Sequence, residues 1–92
     1  MNTILLINPN TSARSLRMML TIARAGLPAG MALRGVSAAS GAAMIVNDDD
    51  LAASAREVVR LGVDLAPDVA TIVVAASIER GTIIFGVVCV LA

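Results

Sequence analysis

The sequence has no histidine, lysine, tryptophan or tyrosine, and only one phenylalanine and one cysteine among its 92 residues. Without histidine, no imidazole is present to activate a hydroxyl nucleophile or to join a metal site. With Phe85 as the sole aromatic, the core must be aliphatic. A lone cysteine, Cys89, excludes an intrachain disulfide and agrees with a reducing compartment; set in an apolar stretch, it reads as inert core. The seven arginines are scattered and balance seven acidic residues, so no basic field recommends nucleic acid as a partner.

Targeting signals are also missing. The N-terminus lacks the basic segment, long apolar core and small-residue cleavage site of a secretion signal, and the expected location is the cytoplasm. The stretch Val69 to Ala92 is long enough for a membrane span, but Glu79 and Arg80 fall near its middle, where insertion of an arginine costs roughly 2.5 to 3.5 kcal/mol. The run after Gly81 is only about half of the roughly 20 residues a span needs. No membrane partner is expected, and an exposed apolar tail would instead promote self-association.

What is present is aliphatic: hydrophobic residues make up 58% of the chain. The length allows one small domain, marginal without help from a partner. Ile4 to Ile7 is a short unbroken run, β-branched at both ends, as in a strand buried on both faces of a parallel sheet. Asn8-Pro9-Asn10 ends it, because proline cannot donate to a ladder and asparagine side chains bond nearby backbone. Thr11 or Ser12 then caps a helix in which Leu16, Met19, Leu20 and Ala23 form the buried stripe, closed by Gly26 and Pro28.

Two readings of Asn8, Pro9, Asn10, Thr11 and Ser12 stand side by side. A strand that delivers its carboxyl end into a helix start gathers free N–H groups, a positive dipole end and small polar side chains, which suits an anion. Alternatively, the turn is a plain connection whose polar groups satisfy one another.

Further along, Met31 to Val36 reads as a second strand weakened by Gly35, and Ser37 to Gly41 as a loop on the same rim as Asn8 to Ser12. Asn47 to Asp50 places carboxylates at a helix start, where they suit the dipole. Consecutive aspartates without alternating ligands fit a metal poorly, and no metal site is expected. Leu51, Ala55, Val58, Val59 and Gly62 or Val63 trace the expected buried stripe, while Arg56, Glu57 and Arg60 read as a solvated face. Ala70 to Ala75 is the clearest buried strand, with Ala76 and Ser77 at its carboxyl end facing the crevice of the first turn. The βαβαβ order predicts an α/β fold with a parallel sheet.

Ile7-Asn8-Pro9-Asn10-Thr11-Ser12 after an N-terminal strand resembles the opening of the aspartate/glutamate and hydantoin racemase superfamily, which includes maleate isomerases and arylmalonate decarboxylases. Gly41-Ala42-Ala43-Met44-Ile45 resembles the family's Gly-Pro-x-x-Ile segment, with Ala42 in place of proline. Asp68 to Gly81 resembles its Asp-Ala-x-x-x-Ala-Cys-x-Gly-Asp-Pro-Gly segment. The resemblance implies a flavodoxin-like three-layer parallel sheet over residues 1–81, one of the family's two similar domains. It also implies a racemase or isomerase acting without a cofactor at the α-carbon of a small carboxylate or hydantoin, with Asn8 to Ser12 and Ser77 lining the substrate.

In that family two cysteines work on opposite faces of the α-carbon, one removing the proton and the other returning it. The position resembling the first is Ala76, which carries no proton, and Ser77 has no activator. The second would lie in a second domain. The arylmalonate decarboxylase branch also lacks the first cysteine. Residues 82–92 depart from the family as an apolar, strand-like tail where a helix is expected, so the chain is expected to be a truncated or frame-altered member. Three functions follow: a racemase-type enzyme whose missing base comes from another copy in a homo-oligomer, a non-catalytic remnant binding small carboxylates, or a membrane-associated small protein.

Overall fold

Leu5, Leu6 and Ile7 are consecutive, and none is more than 1% exposed. A strand alternates its side chains between two faces, so three buried residues in a row require cover on both. A computed structural model describes the backbone of residues 2–79 and 82–88 and the side chains of residues 2–76. The elements run β1 (Thr3–Asn8), α1 (Ala13–Ala25), β2 (Ala32–Ser37), α2 (Asp48–Leu65), a short 3-10 turn (Ala66–Asp68), β3 (Thr71–Glu79) and β4 (Thr82–Val88). The sheet order is β2-β1-β3-β4. β1 pairs in parallel with both β2 and β3, and β4 pairs antiparallel to β3.

The two helices cover opposite faces of β1. Leu6, Met19 and Ala75 form one buried cluster, against which Leu16, Leu20, Ala23 and Leu33 pack. Leu5, Ile7, Val69 and Ile72 form the other, beneath Val58, Leu61 and Leu65 of α2. The result is a three-layer α/β unit with a three-stranded parallel sheet. Burying each of these aliphatic side chains contributes about 1.5–3 kcal/mol, and β1 lies at the centre of both layers.

The stripe expected on α1 is the stripe observed. Ser12 caps the helix, its Oγ accepting from the N–H of Ser15 at 3.2 Å. On α2 the cap is also as expected: Asn47 Oδ1 accepts from the N–H of Asp50 at 2.8 Å, and the Asp50 carboxylate accepts from the N–H of Val46 at 3.2 Å. This reciprocal pairing satisfies two donors at the helix start.

The stripe expected on α2 is buried only in part: Val58 packs on the core and Gly62 faces Ile72, but the other members are exposed. Leu51, Val59 and Val63 are 57%, 64% and 69% exposed, whereas Ser54 and Glu57 are buried and Val58, Leu61 and Leu65 face the sheet. The buried positions 54, 57, 58, 61 and 65 and the exposed positions 51, 55, 59 and 63 lie on neighbouring faces of the one helix. Glu57 is thus no solvated residue. Tertiary contacts chose the stripe that brings its carboxylate to a neighbouring loop.

β3 also departs from expectation. It does not end at Ala75 but continues to Glu79, with Ala76 opposite Ile84 and Ser77 opposite Ile83. Ala76 and Ser77 therefore lie inside a paired strand and not at its carboxyl end. The tail's strand-like reading holds over Thr82–Val88, while Cys89 lies outside the described residues.

Gly35 weakens β2 in propensity but has a packing reason. A Cβ built there would lie 2.8 Å from both Cδ1 and Cδ2 of Leu20, closer than carbon atoms approach. Leu20 leans from α1 directly over the strand. Gly35→Ala is expected to cost about 1–3 kcal/mol by overpacking, and less in a Leu20→Ala background. A double-mutant cycle in urea checks this; simple additivity would remove Leu20 as the cause.

Candidate functional site

Asn8 closes β1, and its side chain is fully buried. Its Nδ2 donates to the Ser12 carbonyl at 3.0 Å and to Ser37 Oγ at 3.2 Å, and its Oδ1 accepts from the N–H of Asn10 at 3.4 Å. Both amide hydrogens and the oxygen are thereby used. Asn10 is 3% exposed, and its Oδ1 accepts from the N–H of Ser12 at 2.9 Å. These are Asx-type bonds two residues ahead, the local reason asparagine suits such turns. Pro9, between them, is buried and has no N–H to satisfy.

The loop after β2 is stitched to this turn. The N–H of Ala38 donates to the Asn8 carbonyl at 2.9 Å, and that of Thr11 to the Ala42 carbonyl at 3.0 Å. Gly41 has φ +109, a left-handed conformation that glycine adopts readily, next to the residue whose carbonyl Thr11 reaches. The two loops expected on one rim do meet there, Asn8 to Ser12 and Ser37 to Ala42.

Much of the turn's polarity is therefore spent on itself. The remainder is small and specific. Asn10 Nδ2 and Thr11 Oγ1 bond to none of the described residues. At the start of α1, the N–H groups of Ala13 and Arg14 bond to none of the described residues. Arg14 is exposed, and the first turn of α1 holds no acidic residue. This end of the helix therefore keeps its positive potential.

Ala76, partly exposed, lies on β3 two residues beyond Val74, which pairs with Ile7. The methyl group thus sits at the level of the turn on the neighbouring strand. It offers no proton to transfer. The side chain of Ser77, the remaining expected site residue, lies outside the described residues.

Sequence reasoning missed Ser40 and Glu57. Glu57 Oε1 accepts from the N–H of Ser40 at 2.8 Å and from its hydroxyl at 3.2 Å, while Oε2 accepts from Arg60 Nε at 2.6 Å. The Arg60 guanidinium, and next the Ser40 N–H, lower the pKa of Glu57 from 4.5 to about 2. The carboxylate pins the β2–α2 loop to α2. Because the folded pKa is depressed, this contribution is present above the unfolded pKa and lost as pH falls from about 4.5 to about 2. Thermal melts should show that Glu57→Gln lacks the part of the acid destabilisation that wild type shows in this window. Equal acid slopes for the two proteins would remove Glu57 as its source.

Among the described residues, no group of three or more potential ligands is placed to hold a metal. No described helix is long and apolar enough to cross a membrane. An apolar cavity of ≈ 210 Å³ lies at the other end of the sheet, between Ile4, Leu6, Leu33 and Val73 and the end of α1 at Ala23 and Leu27. None of its lining side chains is polar. Comparison with protein families, with curated proteins and with solved structures returns no match.

Proposed function

We propose that this chain is a flavodoxin-like half-site of the aspartate/glutamate and hydantoin racemase type, binding a small carboxylate or hydantoin at Asn8, Pro9, Asn10, Thr11 and Ser12. The observation that carries the reading is the division of labour within the turn. Asn8 and the backbone fix its shape, while Asn10 Nδ2 and Thr11 Oγ1, beside the start of α1, bond to none of the described residues. Donors held rigidly by bonds they do not share with the ligand are preorganised for an anion, and the helix end adds a favourable dipole.

The racemase or isomerase chemistry implied by the sequence resemblance needs a thiol on each side of the α-carbon. Ala76 supplies none, and the chain has no histidine to activate Ser77. We therefore read the chain as binding without turnover, with no cofactor, and place it in the cytoplasm. The bound carboxylate needs neither nucleic acid nor membrane.

Amide NMR of the full chain, titrated with aspartate, a malonate, a hydantoin and an N-carbamoyl amino acid, tests this. Shifts confined to amides of residues 10–14 are expected, without solvent deuterium appearing at the ligand's α-carbon. Shifts elsewhere, or none, would remove the binding reading, and deuterium incorporation would replace it by the enzymatic one.

A further inference from the structure

We propose that Glu57 is a positioning residue for the turn at Asn8 to Ser12, acting through the loop between β2 and α2. Residues 38–47 of that loop form neither helix nor strand, so no ladder of its own sets its path. Its first half is tied at three places. The Ala38 N–H donates to the Asn8 carbonyl at 2.9 Å, the Ala42 carbonyl accepts from the Thr11 N–H at 3.0 Å, and midway between them Ser40 meets Glu57. The two outer ties belong to the turn. The middle one fixes the loop to a different element, α2.

That middle tie governs whether the Ala42 tie holds. Gly41 separates Ser40 from Ala42 and has φ +109, a conformation that glycine leaves as readily as it enters. Freed at Ser40, the loop would pivot at Gly41, and the Ala42 carbonyl would swing out of reach of Thr11. Thr11 directly precedes Ser12, the N-cap of α1. Its N–H bond therefore fixes the backbone from which the Thr11 hydroxyl projects.

The chemistry of Glu57 favours positioning over packing. The residue is 8% exposed, on the same face of α2 as Val58 and Leu61. An apolar side chain would fill that space, and replacing a buried ion pair by well-packed apolar groups is often neutral or stabilising. What an apolar side chain would not do is orient the loop. Oε1 accepts from the N–H and hydroxyl of Ser40, Oε2 accepts from Arg60 Nε, and the Arg60 guanidinium also reaches the Asp64 carboxylate at 3.9 Å. With both oxygens held, the carboxylate presents one acceptor in one direction. The relay runs from α2 through Ser40 and Ala42 to Thr11. Its consequence for affinity rests on the reading of the turn as a carboxylate or hydantoin site; its effect on the Thr11 backbone does not.

Amide hydrogen exchange of the full chain at neutral pH, followed by NMR without ligand, tests the relay. In Glu57→Leu the amides of Ser40 and Thr11 are expected to exchange at least about tenfold faster relative to Leu6, whose strand is paired on both sides. Glu57→Gln keeps an acceptor for Ser40 and should restore slow exchange at both. Ser54→Ala, which removes a buried hydroxyl bonded to the Leu51 carbonyl at 2.8 Å, should leave Thr11 unchanged. Thr11 exchange that stays the same in Glu57→Leu, rises only by the factor seen at Leu6, or rises equally in Ser54→Ala would overturn the proposal. Should Glu57→Leu fail to fold, Glu57→Asp, which keeps the charge but is shorter by one methylene than the reach to Ser40 requires, carries the same expectations. Titration with a hydantoin reads the consequence for the site. Glu57→Leu should bind at least about threefold more weakly than wild type and Glu57→Gln as wild type does, whereas equal affinity in all three would overturn the role in binding. If wild type itself binds nothing, the binding reading falls and the exchange result alone decides whether Glu57 fixes Thr11.

Discussion

Asn8→Asp is expected to remove most of the domain's stability at neutral pH and to return much of it in acid. The substitution preserves shape, so the effect is one of donors and charge. Asn8 is fully buried and spends both Nδ2 hydrogens, on the Ser12 carbonyl and on Ser37 Oγ. An ionised aspartate has no hydrogens. One carboxylate oxygen would face the Ser12 carbonyl oxygen, while the Ser37 hydroxyl can turn to donate to the other side and relieve only part of the loss. A buried charge without a partner costs about 3–5 kcal/mol, against a total of about 5–15 kcal/mol for an ordinary domain.

The pH dependence separates this cause from simple misfit. Burial and the facing carbonyl raise the folded pKa of the new carboxyl above its unfolded value of about 3.9. Stability is therefore fully present below that unfolded value and lost as pH rises through the folded pKa. Glu57 in wild type has the opposite sign, its contribution disappearing as pH falls. Melting temperature measured against pH should consequently slope in opposite directions over part of the acid range for Asn8→Asp and wild type. If the variant ran parallel to wild type at every pH, the charge argument would be wrong and Asn8 would be only a space-filling residue.

The same site shows where the sequence could be read and where it could not. β1, its turn and the α1 stripe were legible because each signal is local: an apolar run, a proline between two asparagines, and four apolar residues on one helical face. The bonds from the turn to Ser37 and Ala42 span about thirty residues, and only the placement of two loops on a common rim anticipated them. α2 was misread for a definable reason. Its apolar residues extend well round the axis, so Leu51, Val59 and Val63 could be grouped with Val58, which alone of these four packs on the core. The stripe that is buried begins with polar residues, Ser54 and Glu57, which is unreadable without the loop whose Ser40 satisfies the glutamate. β3 ran longer than expected because its pairing with β4 sustains strand geometry past Ala75, where small residues alone would suggest an end.

Self-satisfaction and ligand binding in the turn are compatible. A loop that left all its polar groups free would have to organise itself around each ligand and would lose affinity to that ordering. Here Asn8 carries the structural load from a buried position, and the candidate ligand contacts fall to Asn10 Nδ2, Thr11 and the helix start. Ala76 carries no proton to transfer, and its identity does not enter that scaffold. Proton transfer and the shape of the turn thus depend on different residues.

Leu6→Ala is expected to cost about 2–5 kcal/mol, towards the upper end. Leu6 is 1% exposed and touches the layer formed by Met19, Leu16, Leu20 and Ala75. Its neighbours Ala23 and Ala75 are too short to fill the space. The truncation would also open into the apolar cavity that Leu6 already lines, so the void would enlarge rather than collapse. Val59→Ala is the informative companion. Val59 is 64% exposed, and alanine is the better helix former, so this change should stay within about 0.5 kcal/mol of wild type or stabilise slightly. Urea unfolding with an unchanged slope gives both values directly. A large loss from Val59→Ala, equal to that from Leu6→Ala, would mean that α2 presents the Leu51, Val59 and Val63 stripe to the sheet. In that arrangement Glu57 would leave Ser40, the loop after β2 would lose its anchor, and the rim at Asn8 would lose the neighbour that shapes it.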